Sequence, residues 1–120
     1  MILKSAYNES HPYVTKDGAI IRELMHPEVH GNSKQSLAEA TIPQGKATAL
    51  HHHQRSEEIY HVTAGNGQMT LADKSFEVAV GDTICIPPQT SHRLHNTGKE
   101  PLKVLCCCAP PYSHDDTELV

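Results

Sequence analysis

Aromatic residues are scarce in this chain of 120 residues, which has no tryptophan, one phenylalanine and four tyrosines. A core must therefore be built from Val, Ile, Leu, Ala, Met and Cys, a content compatible with a narrow β-barrel. No apolar run approaches the length of a membrane span, and the first residues do not resemble a signal peptide. We therefore expect a cytoplasmic protein with no membrane partner.

The chain also lacks a concentration of positive charge. Ten Lys and Arg and fourteen Asp and Glu are mixed along it, for a formal net charge of −4. Because no basic stripe is present, a nucleic-acid partner is not expected. The length suits one core and no more, which predicts a single domain over residues 1–120.

The four cysteines do not form a disulfide framework. Cys106, Cys107 and Cys108 are consecutive, and neighbours on a strand face opposite sides. We expect them to be small buried hydrophobes in a terminal strand over 102–108, with Lys103 outside. Leu102, Val104, Cys106 and Cys108 would then point inward. An alternative is that one inward cysteine lines a pocket, where it can be oxidised or bind a soft metal.

Short strands separated by turns make up most of the pattern, and no amphipathic helix stands out. The predicted strands cover residues 19–25, 36–42, 47–53, 58–64, 68–71, 76–80, 83–86, 92–96 and 102–108. This spacing predicts an all-β barrel or sandwich. Residues 1–16 and 110–120 are expected to be peripheral arms or tails.

Histidine is the most informative residue type, with ten copies. Side chains two apart on a strand share a face, so His51 and His53 point together and His52 points away. By the same rule Glu58 shares a face with Tyr60. Glu58 is the preferred carboxylate, and Glu57 is the fallback.

A third segment, 92–96, places His92, Leu94 and Asn96 on one face. Three imidazoles and one carboxylate suit Mn, Fe, Ni, Co or Zn better than Ca or Mg. A site for one divalent transition metal ion is therefore the leading hypothesis. His52, His61 and His95 should point away from it, and His11, His26, His30 and His114 are expected to be surface or structural residues.

Residues 45–65 and 81–96 carry two motifs. They resemble the paired motifs of the cupin superfamily, G-x5-H-x-H-x3,4-E-x6-G and G-x5-P-x-G-x2-H-x3-N. The first is filled by Gly45, His51, His53, Glu58 and Gly65, and the second by Gly81, Pro87, His92 and Asn96. Gln89 stands where the second motif has glycine. Because glycine would allow a positive φ there, Gln89 suggests a slightly different turn before His92, although the sequence leaves open whether the turn changes at all.

The resemblance implies a double-stranded β-helix, or jelly-roll, barrel with a motif core over 45–96. It implies His51, His53, Glu58 and His92 as the metal ligands. It also implies a homodimer, in which residues 1–16 could pair with the partner subunit. Small cupins include quercetin-type dioxygenases, small lyases and type II phosphomannose isomerases.

Several functions fit such a barrel, because cupins host many chemistries. The first hypothesis is a metal-dependent enzyme of dioxygenase or lyase type that acts on a small oxygen-rich substrate. A sugar or sugar-phosphate isomerase and a non-catalytic barrel that binds a small molecule or sugar are the alternatives. A storage role is disfavoured, because the metal ligands are retained.

Tyr60 is the candidate catalytic residue, because its hydroxyl would lie on the face of Glu58. It could act as a general acid or base if a nearby dication lowers its pKa. The alternative is a core tyrosine. Arg22, Gln44 and Tyr112 are weaker candidates for holding a polar or anionic substrate.

Overall fold

The computed structural model describes residues 2–120, which are built almost entirely of β-strands. The strands are β1 (Tyr13–Val14), β2 (Ile20–Met25), β3 (Ser36–Ile42), β4 (His51–His53), β5 (Glu57–Ala64), β6 (Asn66–Leu71), β7 (Lys74–Ala79), β8 (Thr83–Ile86), β9 (His92–Asn96), β10 (Leu102–Ala109) and β11 (Thr117–Leu119). The described helices are a 3-10 turn at Tyr7–Glu9 and one α-helical turn, α1, at Pro27–His30. Neither has the length and apolar character that a membrane span requires.

The strands form two antiparallel sheets. The larger sheet has the order β1-β2-β3-β10-β5-β8, and the smaller has the order β11-β4-β9-β6-β7. The chain crosses between the sheets repeatedly, for example from β3 to β4 and from β5 to β6. Such alternation between two facing antiparallel sheets is typical of a jelly-roll barrel. The prediction of an all-β jelly-roll fold is confirmed.

Strand β10 lies in the middle of the larger sheet, between β3 and β5. Its burial alternates residue by residue, with Leu102, Val104, Cys106 and Cys108 inward. The inward face predicted for this strand is therefore confirmed. Lys103 lies on the outer face, where its ammonium is 3.8 Å from the carboxylate of Glu39.

The core is aliphatic, as the scarcity of aromatic residues requires. One continuous cluster contains Ala19, Ala40, Ile42, Tyr60, Val62, Met69, Val78, Ile86, Leu94, Leu102, Val104 and Cys106. Tyr60 is the one aromatic member of this cluster among residues 2–120. Small and branched side chains let the two sheets approach closely, and they leave only a narrow lumen between them.

Three strands have the predicted bounds, namely 36–42, 83–86 and 92–96. The strand predicted over 47–53 is shorter, because regular pairing begins only at His51. Before that point the backbone bonds to other partners: Ala49 N–H donates to the Asp17 carbonyl at 2.7 Å. Ala47 contributes an isolated bridge to His95.

Both ends of the described chain contribute strands that the sequence pattern did not indicate. β1 pairs with β2 of its own chain, and pairing of residues 1–16 with a partner subunit stays a prediction. β11 pairs with β4, so it lies directly beside two of the predicted ligands. The segment before it is anchored by Asp116, whose carboxylate accepts bonds from the N–H groups of Arg55 and Ser56 at 2.9 and 3.0 Å.

Gln89 adopts a φ of 63°, which is the left-handed conformation that a glycine would favour. The prediction that this substitution changes the turn is therefore wrong with respect to φ. Gln89 N–H donates to the His53 carbonyl at 2.6 Å. That bond gives the turn a fixed partner in β4 and offsets the steric cost of a side chain there.

Candidate metal centre

His51, His53, Glu58 and His92 meet in the lumen of the barrel. The smaller sheet supplies the three histidines, from β4 and β9, and His51 lies opposite His92 in register. β5 of the larger sheet supplies Glu58 from across the lumen. All four residues are buried, with exposed fractions between 0 and 5%. The structure therefore brings the three predicted histidines together as one set of possible metal ligands, and Glu58 lies beside two of them, His53 and His92.

The reactive atoms of these side chains lie close together. One ring nitrogen from each of His51, His53 and His92 lies within 4.8 Å of the others, so the three histidines could bind a metal ion. Glu58 Oε1 lies 3.2 Å from His53 Nε2 and 3.5 Å from His92 Nε2.

The other ring nitrogen of each histidine is held by a neighbour. His51 Nδ1 lies 2.7 Å from the Ala49 carbonyl and His92 Nδ1 lies 3.0 Å from the Thr90 carbonyl. Because a carbonyl oxygen only accepts, both Nδ1 atoms carry the proton. In the neutral rings Nε2 is then an unprotonated acceptor that faces the lumen. Such bonds to the outer nitrogen are typical of metal-binding histidines.

The third histidine reaches the same state through a side chain. His53 Nδ1 lies 2.9 Å from Thr117 Oγ1. That hydroxyl donates its own proton to the Ser113 carbonyl at 2.9 Å, so it can only accept from the imidazole. The neutral His53 ring therefore also presents an unprotonated Nε2 to the lumen.

Opposing effects act on the charges of this cluster. Burial opposes ionisation of Glu58, but the hydrogen bond with His53 and the charges of His53 and His92 outweigh it and lower the pKa of Glu58 to about 2. Burial lowers the pKa of His53. The hydrogen bond and charge of Glu58 raise it by a larger amount, so the pKa of His53 lies above its ordinary value. Burial and the neighbouring His92 lower the pKa of His51. The cluster thus holds a carboxylate that stays ionised and attracts a cation.

Asp17 also reaches this cluster, although no sequence motif indicated it. Its Oδ2 lies 3.1 Å from His51 Nε2. The residue belongs to the turn between β1 and β2. Its separation from the histidines along the chain leaves no periodic signal that could have revealed the contact.

The family model described as a cupin domain matches residues 38–108. The chain belongs to the cupin family. This cupin is 56% identical over 119 residues to the uncharacterized protein MJ1618 of Methanocaldococcus jannaschii, which covers 99% of this chain and 95% of that protein. It is 29% identical over 82 residues to the oxalate-binding protein of Thermotoga maritima, which covers 68% of each chain.

A solved structure shares the fold of this cupin. The nucleoside dehydratase Pac13 from Streptomyces matches it with a TM-score of 0.80 and 18% sequence identity, over 100% of this chain and 92% of the other. At this level of identity the likeness concerns the fold alone.

Cys108 contacts the outer oxygen of Glu58. Its Sγ lies 3.2 Å from Glu58 Oε2, and burial followed by the Glu58 charge raises the pKa of the thiol. The neutral thiol therefore donates to the carboxylate and leaves Oε1 directed at the histidines. Cys106 and Cys108 both line the cavity of this cupin. Oxidation or soft-metal binding by an inward cysteine stays a prediction.

Tyr60 lies in the barrel wall beside the cluster. Its ring centroid is 5.9 Å from that of His92 in an edge-on arrangement, and the residue is 6% exposed. Burial, reinforced by the charge of Glu58, raises its pKa well above 10. In this environment the phenol stays neutral, so it is suited to donate a hydrogen bond and not to act as a base.

The weaker candidates for substrate contact separate into two groups. Tyr112 lines the cavity, with its ring centroid 5.8 Å from that of His53. Arg22 lies elsewhere, because its guanidinium packs 4.3 Å from the centre of the Tyr7 ring and donates to the Tyr7 carbonyl. Gln44 is exposed in the turn after β3.

The remaining acidic and histidine candidates lie outside the lumen. Glu57 is exposed, in contrast to the buried Glu58, so burial favours the preferred carboxylate over the fallback. His52, His61 and His95 are partly exposed on the outer faces of their strands, as the alternation of side chains along a strand predicted. His26 is 7% exposed and caps α1 by accepting from the Glu28 N–H at 3.1 Å.

A cavity of about 40 Å³ adjoins the cluster. At about 10–15 Å³ for each water-sized group, it accommodates about three such groups. Much of its lining is apolar, with Ile21, Ala38, Ala40, Ile42, Leu94 and Val104. Its acidic members are Asp17, Glu23 and Glu58, and no Lys or Arg lines it among residues 2–120.

Proposed function

We propose that this cupin binds one divalent transition metal ion through His51, His53, Glu58 and His92. We further propose that it is an enzyme of lyase or dioxygenase type that acts on a small oxygen-rich molecule. One observation carries the proposal: ring nitrogens of three buried histidines, each ring fixed through its Nδ1, converge in the lumen beside the ionised carboxylate of Glu58. A cation bound there would satisfy these donors and balance the charge of Glu58.

The donor distances support the fit of an ion. Two donors at right angles, each about 2.1 Å from one ion, lie about 3.0 Å apart. The distances from Glu58 Oε1 to the Nε2 atoms of His53 and His92 are 3.2 and 3.5 Å, which is close to that value. His92 Nε2 is buried without a hydrogen-bond partner, and an ion would satisfy it. The nitrogen and oxygen donors suit Mn, Fe, Co, Ni or Zn.

The chain's own residues have distinct roles in this proposal. A bound ion would supply Lewis-acid chemistry or, in the case of iron, dioxygen chemistry. Glu58 contributes the negative charge, and Cys108 holds it in place through Oε2. Tyr60 donates a hydrogen bond from the wall to a substrate oxygen. The apolar residues of the lining exclude water from the reacting group.

The cavity restricts the substrate. A volume of about 40 Å³ is too small for a sugar phosphate and limits a substrate to a very small molecule. Within residues 2–120, the lining offers no Lys or Arg to hold a phosphate group. Lyase or dioxygenase chemistry is therefore favoured over a sugar-phosphate isomerase. The Thermotoga maritima relative is named for oxalate, which is a small acid.

A non-catalytic barrel that binds a small molecule is the second candidate. The burial of Tyr60 favours it, because a tyrosine whose pKa is raised well above 10 gives up its proton poorly. Titrating metal-loaded protein with oxalate and a panel of small hydroxy acids separates the two candidates. Saturable binding with product in the mass spectrum supports the enzyme, and binding without product supports the binding barrel.

Metal analysis tests the centre itself. Protein prepared without chelators or an affinity tag should contain one transition metal ion per chain, and its identity should indicate the chemistry. The double variant His51→Ala/His53→Ala should lose that ion. His52→Ala lies on the same strand but points outward, so it should keep the ion. Unchanged metal content in the double variant would refute the site.

A further inference from the structure

Asp17 is fixed in a tight turn and presents one free carboxylate oxygen to the lumen. The turn is closed by a bond from Thr15 N–H to the Ala19 carbonyl at 2.9 Å. Oδ1 accepts from the Thr15 hydroxyl and, at 3.1 Å, from the Ala19 N–H. Because both donors occupy Oδ1, Oδ2 is left to face His51.

The turn and His51 are fixed by the same residue. Ala49 donates its N–H to the Asp17 carbonyl at 2.7 Å and accepts the His51 Nδ1 proton through its own carbonyl at 2.7 Å. The main chain of Ala49 therefore holds both groups in place, with Asp17 Oδ2 at 3.1 Å from His51 Nε2. The carboxylate of Asp17 is 12% exposed, so water screens it only weakly.

Asp17 and His51 repeat the relationship of Glu58 and His53. His51 Nδ1 carries the proton, so the Nε2 of the neutral ring is an acceptor that faces another acceptor. Their distance of 3.1 Å is close to the separation of about 3.0 Å expected for two neighbouring donors on one ion. A metal ion between them would satisfy both atoms.

We propose that Asp17 is a further ligand of the metal ion, so that three histidines and two carboxylates form the centre. This inference rests on the proposed metal site. Two carboxylates balance the charge of a divalent ion in a buried site, which favours the divalent over the trivalent state. In an octahedral ion, five protein donors leave one position for an oxygen of the substrate. The added oxygen ligand favours manganese or iron over copper.

Manganese(II) alone is the probe for this test. Asp17→Asn keeps the size of the side chain and an oxygen for the Thr15 and Ala19 donors, but it removes the charge. We expect it to weaken Mn(II) binding by about tenfold or more and to add one coordinated water, measured by water proton relaxation. Asp73→Asn, an exposed acidic residue in the β6–β7 hairpin, is the matched control and should change neither quantity.

The outcomes separate this inference from the proposed function. If wild-type protein does not bind Mn(II) or another transition ion, the metal site itself fails. If it binds and Asp17→Asn keeps the same affinity and water count, the site stands and the role of Asp17 is refuted. If the variant does not fold, a crystal structure of Mn(II)-loaded wild-type protein decides: Asp17 Oδ2 should lie about 2.2 Å from the ion. A hydrogen bond to His51 with no contact to the ion would overturn the proposal.

Discussion

The Nδ1 atom of His53 lies 2.9 Å from the hydroxyl oxygen of Thr117, and this bond joins β4 to β11 beside the candidate metal centre. His51 and His92 are oriented by backbone carbonyls, whereas His53 depends on a side chain. The orientation of one proposed ligand is therefore controlled by a residue 64 positions away in the chain.

Thr117→Val should weaken metal binding without removing a ligand. Valine keeps the shape of the side chain but cannot accept the Nδ1 proton of His53, so the ring loses its fixed tautomer. We expect the dissociation constant for Mn(II) or Zn(II) to rise by about 10- to 100-fold in isothermal titration. Thr117→Ser restores the hydroxyl and should bind nearly as tightly as wild type. Equal affinity in all three proteins would contradict this role.

Glu58 should make the metal-free protein sensitive to acid. Its pKa falls from the ordinary value of 4.5 to about 2 in the folded state, so its ionised form stabilises the fold above pH 4.5. That contribution, up to about 3 kcal/mol, should be lost as the pH falls from 4.5 to 2. Urea unfolding across this range should show the loss in wild type. Glu58→Gln should have a flatter acid limb, and the exposed neighbour variant Glu57→Gln should behave as wild type.

Tyr60 should remain a neutral phenol under alkaline conditions. Burial and the Glu58 charge raise its pKa well above 10, so it should not contribute to the rise of absorbance at 295 nm up to pH 10. Tyr60→Phe should leave the amplitude of that rise unchanged while the protein stays folded. A smaller amplitude in Tyr60→Phe would contradict this assignment, and it would revive a role for the tyrosine as a base.

The four thiols should react unequally with iodoacetamide. Cys85 is exposed, whereas Cys106 and Cys108 are buried and burial raises the pKa of both. Peptide mass spectrometry of the native protein should show rapid alkylation at Cys85 and protection at Cys106 and Cys108. Unfolding in urea should remove the difference. Early modification of Cys108 in native protein would indicate that the lumen opens to solvent.

The sequence was sufficient to predict the all-β fold and the four buried side chains that meet in the lumen, because both depend on local spacing. The two-residue period on β4 separates His51 and His53 from His52, and burial in the structure follows that separation. Glu58 was preferred over Glu57 by the same rule. The motif spacing added the family and the barrel, which periodicity alone left open between barrel and sandwich.

The parts that could not be predicted depend on contacts between distant segments. Asp17 enters the lumen because its turn is tied to Ala49 by a main-chain bond, and no sequence period encodes that pairing. Thr117 belongs to a strand of three residues in a segment without an apolar alternation. The turn at Gln89 differs from the expectation for another reason. A hydrogen bond to the His53 carbonyl stabilises a positive φ, which a residue other than glycine disfavours.

The way in which the three imidazoles are held bears on how such a site can evolve. A point mutation cannot delete a peptide carbonyl. Most substitutions at Ala49 and Thr90 should therefore leave the ring orientations of His51 and His92 unchanged. His53 has no such protection, because one codon decides whether a hydroxyl is present at position 117. Natural variation in metal affinity should therefore include this position, and comparison of orthologous genes would reveal it.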